Sequence, residues 1–108
     1  MAMTPEKKVK MTITKQLDSL GCYYFFPATG GYGKSGVPDI VGCYKGKFFG
    51  IECKAGKGKT TALQDMHLNK IDTAGGIALV VNEENMHDIE NLLNAVIPSD
   101  PRQLVLDL

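Results

Sequence analysis

No run of apolar residues in this chain is long enough to span a bilayer, and the N-terminus carries no apolar stretch of the signal-peptide kind. The expectation is therefore a cytoplasmic protein with no membrane partner. Cysteine is scarce and odd in number. Cys22, Cys43 and Cys53 have no C-x-x-C spacing, which argues against a disulfide framework or a zinc site and for a reducing interior. Cys43 and Cys53 fall in apolar runs and are expected as small buried thiols. Net charge is zero, so the whole-chain balance gives no case for nucleic acid. There are no internal repeats, and no low-complexity tract beyond residues 30–36.

The charges that are present are unevenly spread. Residues 1–59 hold ten lysines against Glu6, Asp18, Asp39 and Glu52, whereas residues 60–108 hold Lys70 and Arg102 against eight acids. Such a split can give one basic and one acidic face, and a local basic patch is what binding a phosphate backbone requires. At 108 residues the chain is expected to be one domain with a single core.

Thr4-Pro5-Glu6 reads as a helix start, with a capping hydroxyl, proline at the first helical position and an acid in the first turn. Val9, Ile13, Leu17 and Leu20 form its apolar stripe, and Gly21 its stop. A short aromatic strand follows at 22–26. A helix over 62–74, capped by Thr60 or Thr61, is expected to bury Leu63, Met66, Ile71 and Ala74, with Gln64, Leu68 and Ile71 as a neighbouring row. The uninterrupted apolar run at 77–81 fits a strand buried on both faces. Asn82 is expected to cap a last helix from Glu83, with Met86, Ile89, Leu92, Leu93 and Val96 inward. The helix between the third and fourth strands implies a crossover, hence a mixed β-sheet.

The most informative stretch is 36–56, G-V-P-D-I-V-G-C-Y-K-G-K-F-F-G-I-E-C-K-A-G. Two apolar runs around Lys45-Gly46 suggest a β-hairpin. With those two residues as the turn, Tyr44 faces Lys47, and counting back along the ladder sets Asp39 opposite Glu52. Opposed residues share a sheet face, and Lys54, two residues past Glu52, falls on it as well. Two adjacent carboxylates repel unless a cation lies between them. Mg²⁺ suits the position, being held by one or two carboxylates with phosphate oxygens and water, and a nearby lysine can orient or deprotonate the attacking water. An ordinary hairpin with a solvated Glu52–Lys54 pair is the other reading that the spacing allows.

Pro38-Asp39 followed by Glu52-Cys53-Lys54 resembles the P-D…(D/E)-x-K signature of the restriction-endonuclease-like nucleases. Glu6 in the first helix, the run Ser35-Gly36-Val37-Pro38-Asp39, and Gln64 on a helix leading to Ala74-Gly75-Gly76 and another strand narrow the likeness. Together they resemble the virus-type replication-repair nuclease family in its short stand-alone viral or phage form. The likeness extends from about Glu6 to Val81.

This resemblance implies an α/β fold, a restriction-endonuclease-like core in α-β-β-β-α-β-α order over residues 1–97. Residues 98–108 would form a tail or edge strand, at a dimer interface in one arrangement. It implies a Mg²⁺-dependent DNA endonuclease, with Mn²⁺ substituting, acting as a homodimer on branched DNA such as a Holliday junction, in the host-cell cytoplasm if the chain is viral. Asp39 and Glu52 would bind the metal with the Cys53 backbone carbonyl, and Glu6 is a second-tier ligand. Lys54 would position or activate the attacking water, and Gln64 would support that geometry. Lys34, Ser35, Lys45, Lys57 and Lys59 are candidates for contact with the DNA backbone.

Two other functions stay open at this level. One is a non-catalytic DNA-binding or assembly module on the same fold. The other is a P-loop nucleotide-binding protein, suggested by Gly58-Lys59-Thr60 between a strand and a helix but weakened by Cys53 in place of the first glycine. A similar pattern ending at Gly33-Lys34-Ser35 is set aside, because Gly36 and Pro38 oppose the helix it needs. The nuclease reading expects no nucleotide cofactor.

Overall fold

The computed structural model describes residues 3–28 and 35–95. The expected tail or edge strand at 98–108, Val96 and the loop residue Lys34 lie outside the described residues. The elements run α1 (Pro5–Ser19), β1 (Tyr23–Phe25), β2 (Ile40–Tyr44), β3 (Lys47–Cys53), α2 (Ala62–Thr73), β4 (Ile77–Val81) and α3 (Ile89–Asn94). The fold is α/β, with one four-stranded mixed sheet in the order β1-β2-β3-β4. β1–β2 and β2–β3 are antiparallel, and β3–β4 is parallel through the α2 crossover.

α1 begins as its sequence dictates. The Thr4 hydroxyl accepts from the Lys7 amide at 3.2 Å and Pro5 occupies the first turn. Val9, Ile13 and Leu17 are fully buried against Ile40, Phe49, Ile51, Ile77 and Val81 on one face of the sheet, where Ile89 and Leu93 of α3 join them. This is the core.

The hairpin turns at Lys45 and Gly46, both at positive φ (49° and 80°), the pattern of a type I′ turn. Tyr44 pairs with Lys47 and Ile40 with Ile51, the register read from the sequence. Gly42, in the middle of β2, lets β1 and Phe49 come close. A Cβ there would lie 2.2 Å from the Tyr23 carbonyl oxygen and 2.7 Å from the Phe49 ring. Gly42→Ala is therefore expected to cost about 1–3 kcal/mol and to loosen β1 first. Urea unfolding with hydrogen exchange at Tyr23 and Phe25 checks this, and unchanged stability would refute it.

Four local expectations need correction. α3 starts at Ile89 rather than Glu83. The Asn82 side chain accepts from the Glu84 amide at 2.9 Å, and the Asn85 side chain accepts from the Asn82 amide at 2.8 Å, so these residues build a turn instead of a helix. Gln16 of α1 then accepts from the Ile89 amide at 3.2 Å and donates to the Met86 carbonyl, which fixes where the helix begins. On α2 the buried residue is Leu68, while Leu63 and Met66 are 42% and 40% exposed, because the row led by Gln64 and Leu68 is the one turned to the sheet. Among the described residues β4 is the last strand of the sheet, covered well on one face only, and Val80 is exposed. Cys43 is also exposed. It lies on the sheet face opposite the core, between Tyr23 and Phe48 in the ladder, away from the β3–β4 side of that face where α2 packs.

Candidate metal and phosphodiester site

Asp39 immediately precedes β2, and the ladder that pairs Ile40 with Ile51 places it beside Glu52 near the C-terminal end of β3. Its carboxylate turns onto the strand, where Oδ2 accepts the Cys53 backbone N–H at 2.8 Å. The aspartate thus uses one oxygen on an amide and keeps the other available.

Glu52 lies on the sheet face that α2 packs against, opposite the face that carries the α1–α3 core. Gly50, two residues earlier on the same face, admits Ile71 of α2 and Pro38 so closely that a Cβ would lie 2.6 Å from the Ile71 Cδ1 and 3.0 Å from the Pro38 Cγ. Beside this close packing Glu52 is only 2% exposed, the one charged residue buried among the described residues. Its Oε2 lies 3.3 Å from the Lys54 ammonium. Its Oε1 is buried with no hydrogen-bond partner among the described residues. Burial first, and the Asp39 charge second, push the Glu52 carboxyl up to about 7; Lys54 pulls the other way and falls short, while the Glu6 charge raises it slightly.

Cys53 alternates to the opposite face and joins the core. Burial, with Asp39 and Glu52 nearby, pushes its thiol up to about 12, so it is neither thiolate nor nucleophile at neutral pH. Any part it takes at this site falls to its backbone.

Gln64 occupies the third position of α2 and completes a capping box. Its amide N–H donates to the Thr61 hydroxyl at 3.2 Å, and its side-chain oxygen accepts from the Thr61 amide at 2.9 Å. The Ser35 carbonyl accepts from His67 Nε2–H at 3.0 Å, tying the segment before Asp39 to α2. Lys57 and Lys59 are exposed in the loop after β3. The Gly56 amide in that loop is held by the Glu83 carboxylate at 3.0 and 3.1 Å. Lys45 does not cluster with them. The tight turn sets it at the far end of β3 from Glu52, roughly 23 Å away by strand rise, with its ammonium 5.2 Å from the Tyr44 ring centroid.

Glu6 and Asp39 line one cavity of about 460 Å³ between α1 and the end of the sheet, together with Lys7, Lys10, Phe26 and Cys53. The sequence reading missed Lys7, Lys10 and Phe26. The signal was available on α1: Lys7, Lys10 and Thr14 recur at spacings of three and four, one helical face next to the Val9–Ile13–Leu17 stripe. Among the described residues no three His, Cys, Asp or Glu side chains close into a ready-made cage for an ion. Nor is any helix there long and apolar enough to cross a membrane. Comparison of the chain with protein-family models finds no match, and comparison with curated proteins finds none either.

Proposed function

We propose that the protein is a Mg²⁺- or Mn²⁺-dependent DNA endonuclease built on a restriction-endonuclease-like core. The observation that carries this reading is the orphaned Oε1 of Glu52. A buried carboxylate oxygen with no partner is costly, and one beside a second carboxylate is costlier. A divalent cation removes both costs, and an ion that takes one or two carboxylates plus phosphate oxygens needs no cage of three protein acids.

The residues that would hold it are Glu52 through Oε1, Asp39 through the oxygen not bonded to Cys53, and the Cys53 carbonyl, with Glu6 approaching from α1. When bound, the ion supplies Lewis-acid stabilisation of charge on the phosphoryl oxygens, worth several kcal/mol. Lys54, already paired to Glu52, orients the attacking water and steadies the negative charge that grows on the phosphate. Gln64 acts through the start of α2, which it holds by its capping box. Ser35, Lys57 and Lys59 would follow the phosphate backbone beside the site, and Lys45 would meet it one hairpin length away.

The substrate we propose is branched DNA, a Holliday junction among them, cut by a homodimer whose two-fold symmetry matches the paired strands of a junction. The test is cleavage of junction, flap and linear duplex DNA, with and without magnesium, by the wild type and Glu52→Ala. Magnesium-dependent cleavage by the wild type alone is expected, with the junction preferred. Equal activity of the two proteins would remove the proposed site. DNA binding with no divalent-ion binding at millimolar concentration would favour a non-catalytic module.

A further inference from the structure

The cavity beside Asp39 holds more chemistry than metal binding needs. Besides Glu6 and Asp39 it is lined by two ammonium groups and an aromatic ring. Lys7 and Lys10 are one helical turn apart on α1, so both project from the same side of the helix. The Lys10 ammonium lies 4.2 Å from the centroid of the Phe26 ring, which places the charge over the ring at the cavity wall. Phe26 itself is 50% exposed. Among the described residues neither Lys7 nor Lys10 has a carboxylate within 4 Å of its nitrogen, although Glu6 and Asp39 line the same cavity. Both cations are thus available to an incoming anion. The volume, about 460 Å³, falls in the ordinary range for small-ligand sites of roughly 300–1,000 Å³.

We propose that this cavity seats one deoxynucleotide of the substrate strand next to the bond that is cut, its phosphate between Lys7 and Lys10 and its base or sugar against Phe26. The inference rests on reading Asp39 and Glu52 as the metal site, since that fixes where the scissile phosphodiester must lie. The half-exposed Phe26 ring is what makes the cavity fit a nucleotide better than a bare anion. Lysines act as point charges toward phosphate, and a half-exposed aromatic ring offers a face to any base whatever its sequence. The two acids, Glu6 on the same helix as the lysines and Asp39 at the start of β2, repel phosphate until a cation neutralises them, so occupancy should depend on the divalent ion.

The experiment uses thymidine 5′-monophosphate, which has no phosphodiester to be cut, titrated into the full chain with magnesium present and followed by amide chemical shifts. The expected result is a set of shifts centred on Lys7, Lys10, Phe26 and Asp39, which disappears when EDTA replaces magnesium. Lys10→Gln is expected to weaken binding about tenfold, as is Phe26→Leu. Lys15→Gln, on the same helix but outside the cavity, should change nothing. Circular dichroism establishes that each variant is folded, and a Lys7→Gln variant repeats the test should Lys10→Gln not fold. Shifts centred elsewhere, or equal affinity in Lys10→Gln and wild type, overturn the nucleotide seat. If that happens while Glu52→Ala still abolishes DNA cleavage, the metal site stands without the seat. If the monophosphate maps to Lys7 and Lys10 but Glu52→Ala cleaves normally, the seat stands and the metal site falls.

Discussion

Replacing Glu52 by Gln is expected to make the metal-free protein more stable at pH 8 while removing its magnesium-dependent activity. In the unfolded chain this carboxyl titrates near 4.5, and in the fold near 7. Below pH 4.5 both states carry the proton, and ionisation costs the fold nothing. Between pH 4.5 and 7 the folded state keeps a proton that the unfolded state has lost, so stability falls as pH rises. Above pH 7 the whole penalty remains, roughly 2–3 kcal/mol after allowance for solvent near the site. Glutamine does not titrate, so the gap between variant and wild type should open across that window and stay open above it. For a domain of this size the gain corresponds to a rise in melting temperature on the order of 10 °C.

Magnesium reverses the comparison. An ion that binds the ionised carboxylate stabilises the wild type by mass action and releases a proton on binding. Wild-type melting temperature should therefore rise with magnesium at pH 8 and far less at pH 5, where proton and metal compete for the same oxygens. Cleavage at limiting magnesium should increase through pH 7, with the rise moving to lower pH as magnesium is raised. Glu52→Gln should show neither response, and its cleavage rate should fall by more than the roughly 10- to 100-fold that changes around a metal ligand typically cost. Equal stability of variant and wild type at pH 8, or a magnesium-dependent melting temperature in Glu52→Gln, would contradict the assignment of Glu52.

The part of the site that could be read from the sequence was the part fixed by backbone period. A two-residue turn and alternating side chains leave little freedom, so Lys45-Gly46 was enough to set Ile40 against Ile51 and bring Asp39 alongside Glu52. The stripe Val9–Ile13–Leu17 and the parallel β3–β4 pair were legible for the same reason, since helical period and crossover topology leave few alternatives. What escaped depends on tertiary contacts. Nothing local says that Gly50 will let α2 and Pro38 pack so closely on this face, or that the neighbouring glutamate will be buried with an orphaned oxygen. The Asp39 bond to the Cys53 amide and the clamp of Gln16 on Met86 and Ile89 join residues far apart in the chain. Asn82 satisfied the sequence rule for a helix cap and instead opened a turn, because Asn85 offered it a local partner and Gln16 set the helix start at Ile89. Cys43 looked like core because its run is apolar, but apolar character does not reveal how far across that face a helix reaches.

The Lys54→Met variant probes the same carboxylate from its only ion-pair partner among the described residues. Lys54 lowers the Glu52 pKa by hydrogen bonding and by charge, so its loss should move that pKa further above 7. At pH 5 Glu52 is already protonated, and the substitution should cost little beyond lost packing. At pH 9 the wild type holds a charged pair, whereas the variant must either keep a buried carboxylate unpaired or retain its proton against the solvent. Breaking a buried pair costs about 3–5 kcal/mol, and because the Lys54 side chain is partly exposed the expected loss at pH 9 is nearer 2–3 kcal/mol. Urea unfolding at the two pH values measures the difference. Adding Glu52→Gln to Lys54→Met removes the stranded charge and should raise stability at pH 9 past wild type to near that of Glu52→Gln alone, so the double-mutant cycle returns a coupling of the same size as the Lys54→Met loss. A Lys54→Met penalty equal at pH 5 and pH 9, or one that Glu52→Gln fails to rescue, would show that the lysine acts by packing alone. Its hydrolytic role is a separate quantity: if Lys54 orients water in the reaction, restoring stability through the second substitution should leave cleavage absent.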